Sequence, residues 1–162
     1  MANTNKTQAT IDFLLTCDSI KNSPLFFNFI NAKDNSKQIL TLANEKVTNQ
    51  SFVDGSVAKR YTFTIIDFRS VAYNALVAQE GYSDENVEEY LDVQSIIDWV
   101  QEQDDDRNYP DFGENCIIDS MRVLTDNPNL NGVDTSTKPS LAKYSLSIQI
   151  DYLDTSRALW NN

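Results

Sequence analysis

A chain of 162 residues with 41% hydrophobic and 10% aromatic side chains is long enough for one packed core and short for two domains. Thirteen Lys+Arg against 24 Asp+Glu leave a formal charge of −11, which argues against a phosphate-gripping protein that reads DNA sequence. There is no histidine, so Ser-His-Asp and Cys-His nucleophiles and His-ligated zinc or haem sites are excluded, and the 4 glycines are too scattered for a phosphate-cradling loop. Composition leads us to expect a soluble, acidic, non-enzymatic domain.

The N-terminal Met1–Lys6 shows no apolar segment of signal-peptide type, and no run approaches the ~18 apolar residues that cross a bilayer. Ala9, Phe13, Cys17 and Ile20 recur at helical spacing and predict a first helix over Thr7–Lys21, stopped by Asn22-Ser23-Pro24. Leu25–Ile30 reads as a short apolar strand, Asp34-Asn35-Ser36 as a turn, and Gln38–Ala43 as a second strand. The runs Lys46–Val53 and Lys59–Phe68 are joined around Asp54-Gly55-Ser56. An Asp-Gly pair between β-rich segments is a hairpin signal, because glycine supplies the positive φ of the turn.

Ser70–Gly81 reads as a loop or one helical turn. A second helix is expected over Asp84–Gln103, capped by Ser83 or Asp84, with Val93, Ile96, Ile97 and Val100 as its apolar stripe and an acidic opposite face. Cys116–Thr125 is apolar and β-branched, and Asp126–Pro139 reads as a Pro/Asn/Gly-rich link. From Ala142 to Tyr152 apolar and polar residues alternate strictly, the signature of a long strand with one buried face. Two helices packed on one largely antiparallel, mixed β-sheet with an extended hairpin make an α+β fold, and no linker divides residues 1–162. Charge is uneven: residues 1–80 carry 8 Lys+Arg and 7 Asp+Glu, residues 81–162 carry 5 and 17. That asymmetry suits either an acidic face turned to a channel or partner, or solvated helix and loop acids.

Specific chemistries find little purchase. Asp104, Asp106 and Asn108 match the first three ligand positions of an EF-hand loop, but Tyr109 stands where glycine must turn and Asn115 where a bidentate glutamate closes the shell. The Asp104-Asp105-Asp106 cluster is therefore a weak cation site or an acidic helix exit. No lysine follows an acid by two residues, so the lysine-containing signature of metal-dependent nucleases is absent. Asp67 and Asp151 lie on predicted strands, where solvent-facing positions are the expectation for acids. Cys17 and Cys116 sit singly in apolar runs and read as buried free thiols, a disulfide between them being the alternative. We expect no catalytic residue, metal or cofactor.

The hairpin leads to a family. Asp54-Gly55-Ser56, then Lys59-Arg60-Tyr61-Thr62-Phe63 and Phe68-Arg69, then the Trp-centred Ile96-Ile97-Asp98-Trp99-Val100, and finally Ala142–Tyr152 resemble, in order and spacing, small tail-terminator or head–tail joining (minor capsid) proteins of tailed phages. The resemblance covers about residues 25–153. Val71–Tyr82 is longer than the family pattern, and the Asp126–Pro139 link is more elaborate. It implies a tail-terminator fold and a homohexameric ring capping the head-proximal end of the tail tube. There the ring would stop tube polymerisation and meet the head connector or stopper. It further implies partners in other copies of the chain, the tube protein and the connector, with DNA passing through unbound. The location would be the virion neck, assembled in the host cytoplasm, with no membrane involved. Candidate subunit or partner contacts are Asp54, Gly55 and Ser56 at the hairpin tip and Asn129, Asn131 and Gly132 in the link. Asp104, Asp105 and Asp106 are candidates for an acidic lumen or partner face. Alternatives are another neck or tail protein, such as a stopper or tube subunit, and an acidic DNA-mimicking module that binds a basic partner. A hydrolase using remote carboxylates is a further alternative.

Overall fold

The computed structural model describes residues 5–28, 37–40, 46–71 and 85–161. The expected turn at Asp34–Ser36, the end of the second strand beyond Leu40, the segment after Val71 and the caps Ser83 and Asp84 lie outside these. In chain order the elements are α1 (Lys6–Leu14), α2 (Asp18–Lys21), β1 (Leu25–Phe27), β2 (Lys37–Leu40), β3 (Lys46–Ser51) and β4 (Val57–Ser70). They continue with α3 (Glu85–Asp105), β5 (Cys116–Val123), β6 (Asn129–Asp134), β7 (Leu141–Asp154) and a 3₁₀ turn at Leu159–Asn161.

Two 14-residue strands form the spine: β4 and β7 pair antiparallel along their whole length, from Val57↔Asp154 to Ser70↔Leu141. On the far side of β4 lie β2 and β3, and beyond β2 lies β1, the one parallel pairing among the described strands. On the far side of β7 lie β5 and β6. The fold is α+β on a largely antiparallel, mixed sheet, and no helix among the described residues is long and apolar enough to cross a membrane.

Strand alternation puts Tyr61, Phe63 and Ile65 of β4 beside Ile150, Ile148 and Leu146 of β7 on one face. That face carries the helices: Val93, Ile96 and Val100 of α3 and Leu14, Cys17 and Ile20 from the N-terminal segment join the same buried cluster. Phe13 stacks on Trp99 with ring centroids 5.1 Å apart. Phe112 closes the other end of this core edge-on to Tyr61 and Tyr152, at 5.8 and 5.5 Å. The opposite face has its own smaller buried cluster of Ile66, Phe68 and Leu141.

Three expectations are corrected. The single helix over Thr7–Lys21 is two, because Thr16 and Cys17 bond back to Phe13 and Leu14 in tight three-residue steps and Cys17 takes an extended conformation as the cap of α2. The break allows Leu14, Cys17 and Ile20 all to reach the core. The helix expected to stop at Gln103 runs on to Asp105. The Asp126–Pro139 link contains β6, which lacks strand alternation yet pairs with β7. Beyond the end of β5, the β7 backbone at Leu141–Ser145 offers an edge, and main-chain bonds fill it whatever the side chains.

The hairpin between β3 and β4 forms as expected, with Gly55 at φ +89°. A Cβ at this glycine would lie 2.4 Å from the backbone carbonyl oxygen of Arg157. Gly55→Ala is therefore expected to destabilise the protein by about 1–3 kcal/mol, read as a lowered urea midpoint, since it combines a strained φ with a backbone clash. An unchanged midpoint would mean that the C-terminal segment does not dock on the tip.

Candidate functional site

The hairpin tip is less free than its sequence suggests. Asp54 Oδ1 accepts hydrogen bonds from the Ser56 amide (2.9 Å) and hydroxyl (2.6 Å), which hold its carboxyl below the ordinary value. Ser56 is buried, and the Leu159 amide donates to the Asp54 carbonyl at 2.8 Å. Asp54, Gly55 and Ser56 thus build the turn and seat the chain's own C-terminal segment. The groups turned outward there are apolar: Phe52 and a fully exposed Val53 on the hairpin, Leu159 and Trp160 on the docked turn.

The acidic trio divides in the same way. Asp104 Oδ1 accepts from the Met121 amide at 2.7 Å and from the Tyr109 hydroxyl at 2.9 Å, stapling the end of α3 to β5. Burial and this bond to Asp104 push the Tyr109 hydroxyl up to about 12. Asp105 and Asp106 remain exposed. Among the described residues no cluster of His, Cys, Asp and Glu has the geometry of a metal site.

Asn129, Asn131 and Gly132 all lie on β6, exposed along its length, with the Asn131 side-chain amide donating to Ser145 Oγ. Gly132, at φ +121°, faces open space, and the register shifts between Leu130 and Val133. Cys17 is buried and Cys116 half-buried, both free thiols, and burial pushes the Cys17 thiol up.

A buried cluster of charges among the described residues is one that sequence reasoning missed. Asp67, expected toward solvent, is fully buried on the helix-bearing face of β4. Arg69, two residues on and so on the same face, grips it bidentately: Nε to Oδ1 at 2.9 Å and an Nη to Oδ2 at 3.0 Å. Lys37, cross-strand from Asp67 on β2 and also fully buried, places its ammonium 3.4 Å from Oδ2 and donates to Ser23 Oγ at 2.9 Å. Arg69 then reaches up to α3, to Glu89 at 3.1 Å and Asp92 at 2.5 Å. Burial disfavours both charges of the inner pair, raising the Asp67 carboxyl and lowering the Lys37 ammonium. For Arg69, burial is outweighed by its three carboxylates, and its value rises. The signal was present in the alternation Tyr61, Phe63, Ile65, Asp67, Arg69: the acid and the arginine continue the apolar stripe and must face the same way.

The other expected strand acid, Asp151, lies on the opposite face. It takes a paired contact from Arg60 at 2.7 and 3.2 Å and a bond from Gln149 at 2.9 Å. At the hairpin end Lys59 and Asp154 pair at 2.6 Å across β4 and β7. Burial opposes ionisation of Asp154, but the bonds from Lys59 and Ser156 outweigh it and hold the carboxyl at about 2.

No protein-family model matches this sequence, and no curated protein matches it.

Two outcomes test these ion pairs. Asp67→Ala leaves Lys37 and Arg69 buried without their shared counter-ion and is expected to cost about 3–5 kcal/mol in chemical unfolding. A carboxyl depressed in the folded state stabilises fully above its unfolded value of 3.8, and that stabilisation is lost as the pH falls toward about 2. Asp154→Asn is therefore expected to flatten the fall in stability across this acid range, measured by thermal melts at stepped pH. An equally steep fall in the variant would assign the acid sensitivity elsewhere.

Proposed function

We propose that this chain is a structural ring subunit of a tailed-phage neck, the tail terminator. It caps the head-proximal end of the tail tube, stops polymerisation and presents a surface to the head connector or stopper. The reading is carried by the ordered set of motifs that resemble that family, and it gains support from where those motifs fall. Asp54-Gly55-Ser56 makes the hairpin turn, Tyr61-Thr62-Phe63 lies in β4, Ile96, Ile97 and Val100 belong to the buried stripe of α3, and Ala142–Tyr152 lies in the inner strand β7. The resembling pieces are the spine and core of the subunit rather than scattered surface positions.

The surface agrees with an assembling protein. Phe52, Val53, Leu159 and Trp160 put four large apolar side chains in water at one end of the spine, where a macromolecular contact would remove them from solvent. In such a ring the exposed Asp105 and Asp106 suit a lumen wall that repels DNA passing through without specific binding. No covalent step belongs to this role.

Particles assembled without this protein, viewed by electron microscopy, are expected to yield overlong tails lacking heads. Tails of normal length would overturn the terminator reading. Labelling the protein in intact particles separates the neighbouring roles, because a terminator gives one locus at the neck and a tube subunit repeats along the tail.

A further inference from the structure

Two peptide bonds in this chain join an Asp or Asn to a glycine, Asp54-Gly55 and Asn131-Gly132, and the fold treats them in opposite ways. In such a pair the main-chain nitrogen of the glycine can reach the side-chain carbonyl carbon of the residue before it. A glycine has no side chain to crowd the five-membered ring that results. At the hairpin tip that approach is blocked. The Gly55 amide donates to the Phe52 carbonyl at 3.0 Å, Asp54 Oδ1 accepts from the Ser56 amide and hydroxyl, and the Arg157 main chain lies against Gly55. On β6 the pair is open. Asn131 and Gly132 are both exposed, and a Cβ placed on Gly132 would meet no described atom within 4 Å. Pairing with β7 runs from Leu130↔Tyr144 to Val133↔Ala142, so Asn131 and Gly132 together stand opposite Lys143 and the ladder skips both. The Asn131 side-chain amide donates to Ser145 Oγ, an exposed bond between neutral groups of the kind that water readily replaces.

The geometry points to Asn131-Gly132, at the β6 bulge, as a site where the folded chain modifies itself by deamidation. The Gly132 main-chain nitrogen attacks Asn131 Cγ. A Cγ–N bond forms, the Cγ–Nδ2 bond breaks, and ammonia leaves with the Gly132 amide proton, which closes a succinimide. Water then opens the ring. Attack at the side-chain carbonyl gives aspartate and restores the ordinary peptide link. Attack at the main-chain carbonyl gives isoaspartate, with one extra methylene in the backbone. No electron is gained or lost, and water is the only co-reactant. Because the attacking species is the deprotonated amide, the reaction quickens as pH rises. Either product puts a new carboxylate on β6 in a chain whose charge is already −11. The bulge matters because ring closure needs the main chain to swing toward the side chain. Within a regular ladder that motion would break paired bonds, whereas here the two residues concerned lie between the paired ones. The inference concerns the subunit alone and stands apart from the neck reading.

Peptide mapping by mass spectrometry tests this on the full chain, incubated folded at neutral and at mildly alkaline pH, with fragmentation that separates aspartate from isoaspartate. Asn131 is expected to convert to both products, faster at the higher pH. Its rate is expected to exceed by roughly tenfold or more that of Asn129, which is equally exposed on β6 but followed by Leu130. Asp54 is expected to form no isoaspartate under the same conditions. Gly132→Ala, whose added methyl group meets open space, is expected to slow the reaction by roughly tenfold, and Asn131→Gln to abolish it. Circular dichroism checks that both variants fold. A parallel incubation in urea gives the rate of the unfolded chain. If Asn131 reacts only in urea, if Asn129 keeps pace with it, or if Gly132→Ala leaves the rate unchanged, the inference is overturned. None of these outcomes bears on tail length, which tests the terminator role separately.

Discussion

Every other part of this structure hangs on the unbroken antiparallel ladder between β4 and β7. Fourteen residues of each strand pair in register with no slip, and each strand carries further strands on its other side, β2 and β3 for β4, β5 and β6 for β7. Because side chains alternate, this single register decides the contents of both faces. It gathers Phe63, Ile65, Leu146, Ile148 and Ile150 into the core beneath α3, and it sends Arg60, Thr64, Ser147 and Asp151 to the other side. A one-residue slip would carry the polar set into the core beneath α3 and the apolar set out of it. The ladder also fixes the two ends of the molecule: the Asp54–Ser56 turn with its docked C-terminal segment at one, the Arg69 cluster and β6 at the other.

The charge cluster around Asp67 is the second constraint, and it acts between elements. It joins β2 through Lys37, the turn before β1 through Ser23, β4 through Asp67 and Arg69, and α3 through Glu89 and Asp92. Buried ion groups add little net stability compared with a well-packed apolar core, but a mismatched arrangement would strand a charge in the interior. Any other placement of β2 or of the first turns of α3 would therefore leave one of these charges without its partner. The remainder of α3 is held by Val93, Ile96 and Val100 and by the staple from Asp104 to Met121.

Much of the fold and part of the candidate site are legible in the sequence, for reasons visible at particular residues. The β7 strand and the α3 stripe announce themselves because their periods, two and three to four, extend over several repeats. The hairpin turn is readable because Asp54-Gly55 encodes a backbone conformation locally. β6 is not legible, because Asn129–Asp134 is held by main-chain bonds to a vacant stretch of β7 and carries no side-chain signature. The break at Leu15–Cys17 is equally silent, since helical spacing continues through it and only the shape of the core calls for the bend. At the site, the tip residues were placed correctly on a turn. That the chain's own C-terminal segment lies over that turn depends on a contact roughly a hundred residues away.

By itself the sequence determined the class of structure, the spine strand, the buried helix stripe, the turn and the uneven charge, because each is written in neighbouring residues through period, turn chemistry or composition. Only the tertiary structure decided which acids are buried, which charges share a partner and which apolar groups stay in water. Asp67 looks like any strand acid until β2 brings Lys37 across from it. Trp160 stays 60% exposed where the Leu159 amide bonds the Asp54 turn, a contact between distant parts of the chain that no local pattern encodes. Those outcomes depend on pairing between distant segments, and the energy of burying a charge or a ring is set by what surrounds it rather than by its neighbours in the chain.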